Sequence, residues 1–138
     1  MSEASFILDP RLAADTYPVA SLSMCNVLLM NDARYPWLIL VPRRTALVEI
    51  SDLAVAEQTL LWQEANRAAT ALRAVAPFDK LNLGALGNIV RQLHVHLVGR
   101  RTGDDAWPGP VWGNGSAQAY DEAPRDALLA ALRRALAD

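Results

Sequence analysis

Both histidines of the chain stand two residues apart, within Gln92-Leu93-His94-Val95-His96-Leu97-Val98. Successive side chains on a strand point to opposite faces, so Leu93, Val95 and Leu97 are expected to line a core while Gln92, His94 and His96 share the other face. Three polar groups then face one pocket. An imidazole whose far nitrogen donates to a fixed acceptor keeps the lone pair of its near nitrogen free as a nucleophile. Glutamine adds a donor and an acceptor but no titrating acid. The same alternation also fits a plain half-exposed antiparallel strand. The rival chemistry is a metal site on His94 and His96, but no cysteine partner or His-Glu-x-x-His helix supports it. Gly99, Arg100 and Arg101 stand where a further acidic ligand would be needed, so neither metal nor cofactor is expected.

These residues need a sheet to hold them. Phe6-Ile7-Leu8 is a short apolar run, and Asp9-Pro10 offers a cap and a first-turn proline for a brief helix over 10–14. Strands are expected over 17–21 and 23–30, with a turn over 31–36 and a return strand Trp37-Leu38-Ile39-Leu40-Val41 that Pro42 ends. That return strand is apolar throughout, so both of its faces should be covered. From Ser51 the period becomes helical, with Ser51 as cap and Leu53, Ala56, Leu60, Ala68, Leu72 and Val75 along one stripe until Pro77. Its alanines at 65, 68, 69 and 71 would allow close approach to a sheet or to a second copy of the chain. A strand over 78–84, a glycine-punctuated turn, the histidine strand over 92–98 and a loop over 103–116 follow, and a last helix from about Pro124 carries Leu128, Leu129, Leu132 and Leu136. The class expected is α+β: an antiparallel meander with one long helix and a C-terminal helix, in one domain spanning 1–138.

Composition narrows the function classes. With 138 residues, 52% of them hydrophobic, the chain can bury a single core without disulfides. A net charge of −2 and scattered basic residues argue against nucleic acid as a partner. Cys25 is the single cysteine, and Met1-Ser2-Glu3-Ala4-Ser5 lacks the basic start of a leader, so a cytoplasmic location is expected. The longest uncharged run, 16–31, contains Pro18, Ser21, Ser23 and Asn26 and is short for a membrane span.

Gly87-Asn88-Ile89-Val90-Arg91-Gln92-Leu93-His94-Val95-His96-Leu97-Val98 resembles the Gly-Gln-Ser/Thr-Val-x-His-φ-His-φ-His-φ-φ signature of the histidine triad proteins, nucleotidyl hydrolases and transferases. The resemblance runs from about Met24 to Trp112 and includes Leu38-Ile39-Leu40-Val41-Pro42-Arg43-Arg44, which is similar to the family's apolar strand ending in proline and basic residues. It implies a hairpin, long helix, hairpin fold and an enzyme acting on the α-phosphate of nucleoside phosphoramidates or dinucleoside polyphosphates. His94 matches the nucleophile, which would form a covalent nucleotidyl-histidine, and His96 the third triad member, which would hold a phosphate oxygen or assist the leaving group. A purine nucleotide is the implied ligand and a homodimer the implied assembly, joined through the long helix and the strand over 78–84.

Other positions carry less. Asn88 resembles the family's glutamine and would donate to the phosphate, with turn amides near Gly87 beside it. Asn82 is a further amide candidate. Asn31 resembles the family's ribose-binding position and reads equally well as a turn residue. Leu28 and Leu40 are candidates for a base pocket or plain core, and Trp107 and Trp112 for a cover over the nucleotide or plain shielding. Arg91, Arg100 and Arg101 would steer anions or merely be solvated. This chain departs from the signature at Gln92 in place of the first histidine, Trp37 where the family often has another, and Ile89 in place of the hydroxyl. Trp37 and Gln92 are expected to be neighbours that changed together, with both histidines titrating near the ordinary imidazole value of about 6.5. A nucleotide-binding module with little turnover is the alternative function.

Overall fold

The structure, a computed structural model, describes residues 5–137. Met1–Ala4, on which most of the leader reading rests, lie outside the described residues. Helix α1 (Pro10–Asp15) starts as expected: Asp9 Oδ1 accepts from the Arg11 amide at 2.8 Å, and Pro10 needs no partner for its nitrogen. Strands β1 (Thr16–Ser21), β2 (Cys25–Met30) and β3 (Trp37–Pro42) form an antiparallel run. Helix α2 (Val55–Val75) then carries the chain past one strand position to the edge strand β4 (Lys80–Gly84). Strand β5 (Val95–Arg100) returns into the gap, and helix α3 (Glu122–Leu136) closes the chain. The five-stranded order is β1-β2-β3-β5-β4, so the expected simple meander is broken by one crossover. The architecture is α+β.

The strand alternation divides the interior into two cores. On one side Val27, Leu29, Leu38, Leu40, Val95 and Leu97 pack with Leu61, Ala65, Ala68 and Leu72 of α2 and Leu129, Leu132 and Leu136 of α3. On the other, Leu28, Trp37, Ile39, Val41 and Val98 pack with Leu12 of α1 and Val111 of the loop that follows β5. Strand β3 is buried on both faces, as its unbroken apolar run requires. Glu64, buried on α2, joins helix to sheet by accepting from the Cys25 amide at 2.9 Å and the Met24 amide at 3.2 Å. Burial, with Glu64 beside it, pushes the Cys25 thiol well above its ordinary range, so it stays protonated.

Several boundaries differ from the sequence reading. Ser51 does not cap α2: Ile50–Asp52 form a separate 3₁₀ turn in which Asp52 Oδ2 accepts from the Glu49 amide at 2.9 Å. Leu53 then adopts extended backbone, and the helix begins at Val55 without a side-chain cap. Ala56 is exposed, and Leu61 is fully buried while Leu60 packs part-buried against the same core, so the buried stripe centres on Leu61, Ala65, Ala68 and Leu72. The alanines at 65, 68 and 71 are buried against the chain's own sheet and α3, which removes them as an argument for a second copy. Gly99 of β5 leaves room for Phe78 and Pro36, since a Cβ there would lie 2.4 Å from Phe78 Cδ1 and 2.7 Å from Pro36 Cγ. Among the described residues no helix is long and apolar enough to cross a membrane.

Candidate active site

The expected histidine strand is shorter than its motif. Ladder pairing with β4 stops at Gly84 and His96, and residues 92–94 are held by other bonds. The Leu93 amide donates to the Leu47 carbonyl at 2.9 Å, and the carbonyl at the opposite end of that same peptide unit, Gln92 O, lies 2.7 Å from His94 Nδ1. A carbonyl only accepts, so His94 Nδ1 carries the proton and Nε2 of the neutral ring keeps its lone pair. That is the tautomer a nucleophile needs.

His96 has the opposite arrangement. Trp37 Nε1 donates to His96 Nδ1 at 3.1 Å, and an indole only donates, so the neutral His96 ring carries its proton on Nε2. The two imidazoles meet edge to face with centroids 4.9 Å apart. Burial, and secondarily the neighbouring His94, push His96 down to about 4. His96 is therefore a neutral hydrogen-bond donor at pH 7, in place of the expected group titrating near 6.5.

Both histidines open into a cavity of about 390 Å³. Ile39, beside His96 in the sheet, and Met30 form its apolar floor together with Trp37. Trp112 covers it, edge-on to His96 at 5.5 Å and to Trp37 at 6.4 Å. Gly84, the other sheet neighbour of His96, permits that cover: a Cβ there would lie 3.3 Å from Trp112 Cη2. The Trp112 indole nitrogen is buried with no hydrogen-bond partner among the described residues. Asn88 lies on the rim, and His94 and Asn88 also border a second, more polar cavity lined by Glu49, Ser51 and Arg91. At the far end Asp32 and Arg34 form a buried two-point ion pair, Nη2 to Oδ2 at 2.8 Å and Nε to Oδ1 at 3.0 Å.

Of the sequence candidates, the structure brings His94, His96, Trp37 and Asn88 together. It sets four others apart. The Gln92 carboxamide bonds residues 7 and 9, and Gln92 borders the second cavity with His94 and Asn88, not the one that both histidines and Trp37 line, so Gln92 and Trp37 are not partners; Trp37 bonds His96. Asn31 Oδ1 accepts from the Tyr120 amide at 2.9 Å, tying down the segment before α3. Asn82 Oδ1 accepts from Arg100 Nη1 at 2.9 Å. Trp107 is 37% exposed and stands beside the Arg100 guanidinium, while Trp112 takes the covering position. Leu40 faces the helices and Leu28 belongs to the site-side core; Ile39 and Met30 line the cavity in their stead.

Arg100 steers no anion. It is 1% exposed, pairs with Asp104 at 2.7 and 2.9 Å, and donates to the Gly109 carbonyl at 2.8 Å, which anchors the loop carrying Val111 and Trp112. That guanidinium holds the Asp104 carboxyl below the usual carboxylate range. Sequence reasoning missed Arg11, Asp15, Asp32 and Arg34 as cavity residues. The spacing Asp32-Ala33-Arg34 in a tight turn, which allows the two-point pair, was the available signal. Among the described residues no group of three or more His, Cys, Asp and Glu could hold a metal ion.

This fold recurs in known proteins. The HIT domain profile matches residues 13–103. A histidine triad protein from Sinorhizobium meliloti is 45% identical with a TM-score of 0.94, over 98% of this chain and 100% of that one. One from Bradyrhizobium japonicum is 47% identical with a TM-score of 0.93, over 96% and 98%. A hypothetical histidine triad nucleotide-binding protein from Sulfolobus tokodaii, 14% identical, shares the fold with a TM-score of 0.67 over 87% and 83%. A search of curated proteins returns no match. The profile spans most of the chain and both histidines fall inside it, so this chain belongs to the histidine triad (HIT) domain family.

Proposed function

We propose that the protein is a nucleotidyl hydrolase or transferase that attacks the α-phosphorus of nucleoside phosphoramidates or dinucleoside polyphosphates through His94. The observation that carries this reading is the 2.7 Å bond from His94 Nδ1 to the Gln92 carbonyl, which leaves Nε2 unprotonated toward the cavity. Nε2 forms a bond to phosphorus as the bond to the leaving nitrogen or oxygen breaks, and the leaving group takes a proton from solvent. Water then attacks the phosphorus, gives up a proton to solvent and displaces His94 Nε2, releasing the nucleoside monophosphate. His96 donates from Nε2 to a phosphate oxygen, and Asn88 adds an amide donor. The apolar chamber between Trp37, Ile39 and Trp112 takes the base, for which a purine has the larger flat face. The family, and the fold shared with the nucleotide-binding protein from Sulfolobus tokodaii, support a nucleotide as the ligand.

The test is direct. Incubation with adenosine phosphoramidate, quenching in base and intact-mass measurement are expected to show an added AMP in the wild type and none in His94→Ala. Equal turnover by the two would end the assignment. A binding module with little turnover is the second reading; the Gln92 carboxamide is committed to residues 7 and 9, which leaves no third side chain of the motif at the phosphate. Tight AMP binding without an adduct or turnover would favour it.

The same reading includes a homodimer. Strand β4 is an unpaired sheet edge with Leu83 41% exposed, and Trp62 of α2 is 42% exposed. Pairing of β4 with a second copy would continue the sheet and cover Leu83.

A further inference from the structure

Gln92 stands where the signature has its first histidine, and the reaction proposed above gives it no step. Its carboxamide bonds one segment through both of its polar atoms: Oε1 accepts from the Asp9 amide at 2.8 Å, and Nε2 donates to the Ile7 carbonyl at 2.8 Å. A side chain thus makes, with residues 7 and 9, the paired donor and acceptor bonds by which one strand holds another. The held segment leads directly into α1, whose Arg11, Leu12 and Asp15 line the histidines' cavity. Leu12 is buried there in the site-side core. A neutral imidazole also offers one donor and one acceptor, but on opposite edges of the ring, so it cannot meet both backbone groups as the amide does.

We infer that Gln92 is a positioning residue that docks residues 7–15 as a wall of the nucleotide cavity, governing ligand binding and not the phosphoryl step. The inference rests on the nucleotidyl-transfer reading. The nucleophile is insulated from the loss of this carboxamide. The carbonyl that holds His94 Nδ1 belongs to the peptide unit whose N–H is fixed by the Leu47 carbonyl, so that unit stays pinned without the side chain.

Two variants test this from opposite partners. Gln92→Met keeps the length and removes both bonds; Asp9→Pro removes the amide donor at a residue whose φ of −52° a proline can adopt, and is compared with Asp9→Ala, which removes only the carboxylate that caps α1. With adenosine phosphoramidate as substrate, each is expected to raise KM about tenfold while kcat stays within about twofold. Amide exchange at residues 11–15 is expected to accelerate in both, with β5 unchanged. Gln92→Glu, which keeps the acceptor alone, is expected to fall between wild type and Gln92→Met. A drop in kcat at constant KM in Gln92→Met would put the carboxamide on the phosphate and overturn the inference, as would unchanged exchange at residues 11–15. Absence of wild-type turnover would refute the nucleotidyl-transfer reading alone. The wall is then decided by the Kd for AMP and the same exchange measurement, and unchanged values of both in the two variants would overturn it.

Discussion

His96 shows how burial reassigns a side chain whose type is legible in the sequence. An imidazole in water takes its proton near 6.5, but burial, and secondarily the neighbouring His94, let the folded group take it only near 4. Between those values the unfolded chain binds the extra proton and the folded one does not. Stability from this group is therefore complete above about pH 6.5 and is lost as pH falls toward 4, by about 3 kcal/mol in all. Urea titrations at pH 7 and pH 4.5 are expected to show that loss in the wild type and a smaller one in His96→Gln; equal losses would assign the slope to other groups. Trp37→Phe keeps the ring contact but removes the donor. It is expected to cost about 1 kcal/mol and to let His96 titrate higher, which proton NMR of the two imidazoles would read.

At the scale of elements, the loop after β5 depends on one buried cation. Arg100 ties Asp104, Asn82 and the Gly109 carbonyl together beneath Tyr35 and Trp107, and so sets Trp112 over the histidines. Arg100→Met leaves Asp104 without its partner and is expected to cost about 3–5 kcal/mol, with a weakened Kd for AMP as the cover loosens. Denaturation and calorimetry check the two effects, and a loss under 1 kcal/mol would show that the loop is held elsewhere. Gly99→Ala puts a Cβ into Phe78 and Pro36, and overpacking of that kind is expected to lower stability by about 1–3 kcal/mol.

For the whole molecule, the exposed edge of β4 and Trp62 carry the dimer proposal now that the alanine stripe is accounted for within the chain. Light scattering is expected to give twice the chain mass of 15.0 kDa, and a concentration-independent monomer would refute it. Leu83→Lys, a charge on the edge strand, is expected to shift the mass toward monomer. Chelation is expected to leave turnover unchanged. Loss on chelation with recovery on zinc would favour the metal chemistry that His94 and His96 permit by type.

Periodicity and turn chemistry alone located the strands to within a few residues, the body of the long helix, the C-terminal helix, the Asp9-Pro10 helix start and the division of Leu93, Val95 and Leu97 from the histidines, because those features depend on neighbours within a few residues. The spacing of His94 and His96 likewise placed the candidate nucleophile, and the motif around them indicated the family. What tertiary structure decided were the pairings between distant segments. Gln92 reaches residues 7 and 9, Trp37 reaches His96, Asn31 reaches Tyr120, and Asn82 reaches Arg100. An amide or an indole can be read from the sequence as a group that must find a partner when buried, but not which partner. Which strand lies beside which, after the crossover by α2 puts β5 between β3 and β4, determines who is within 3 Å of whom. For that reason Trp112 rather than Trp107 covers the site, and the glutamine of the motif turns toward the N-terminal segment while its own carbonyl holds His94.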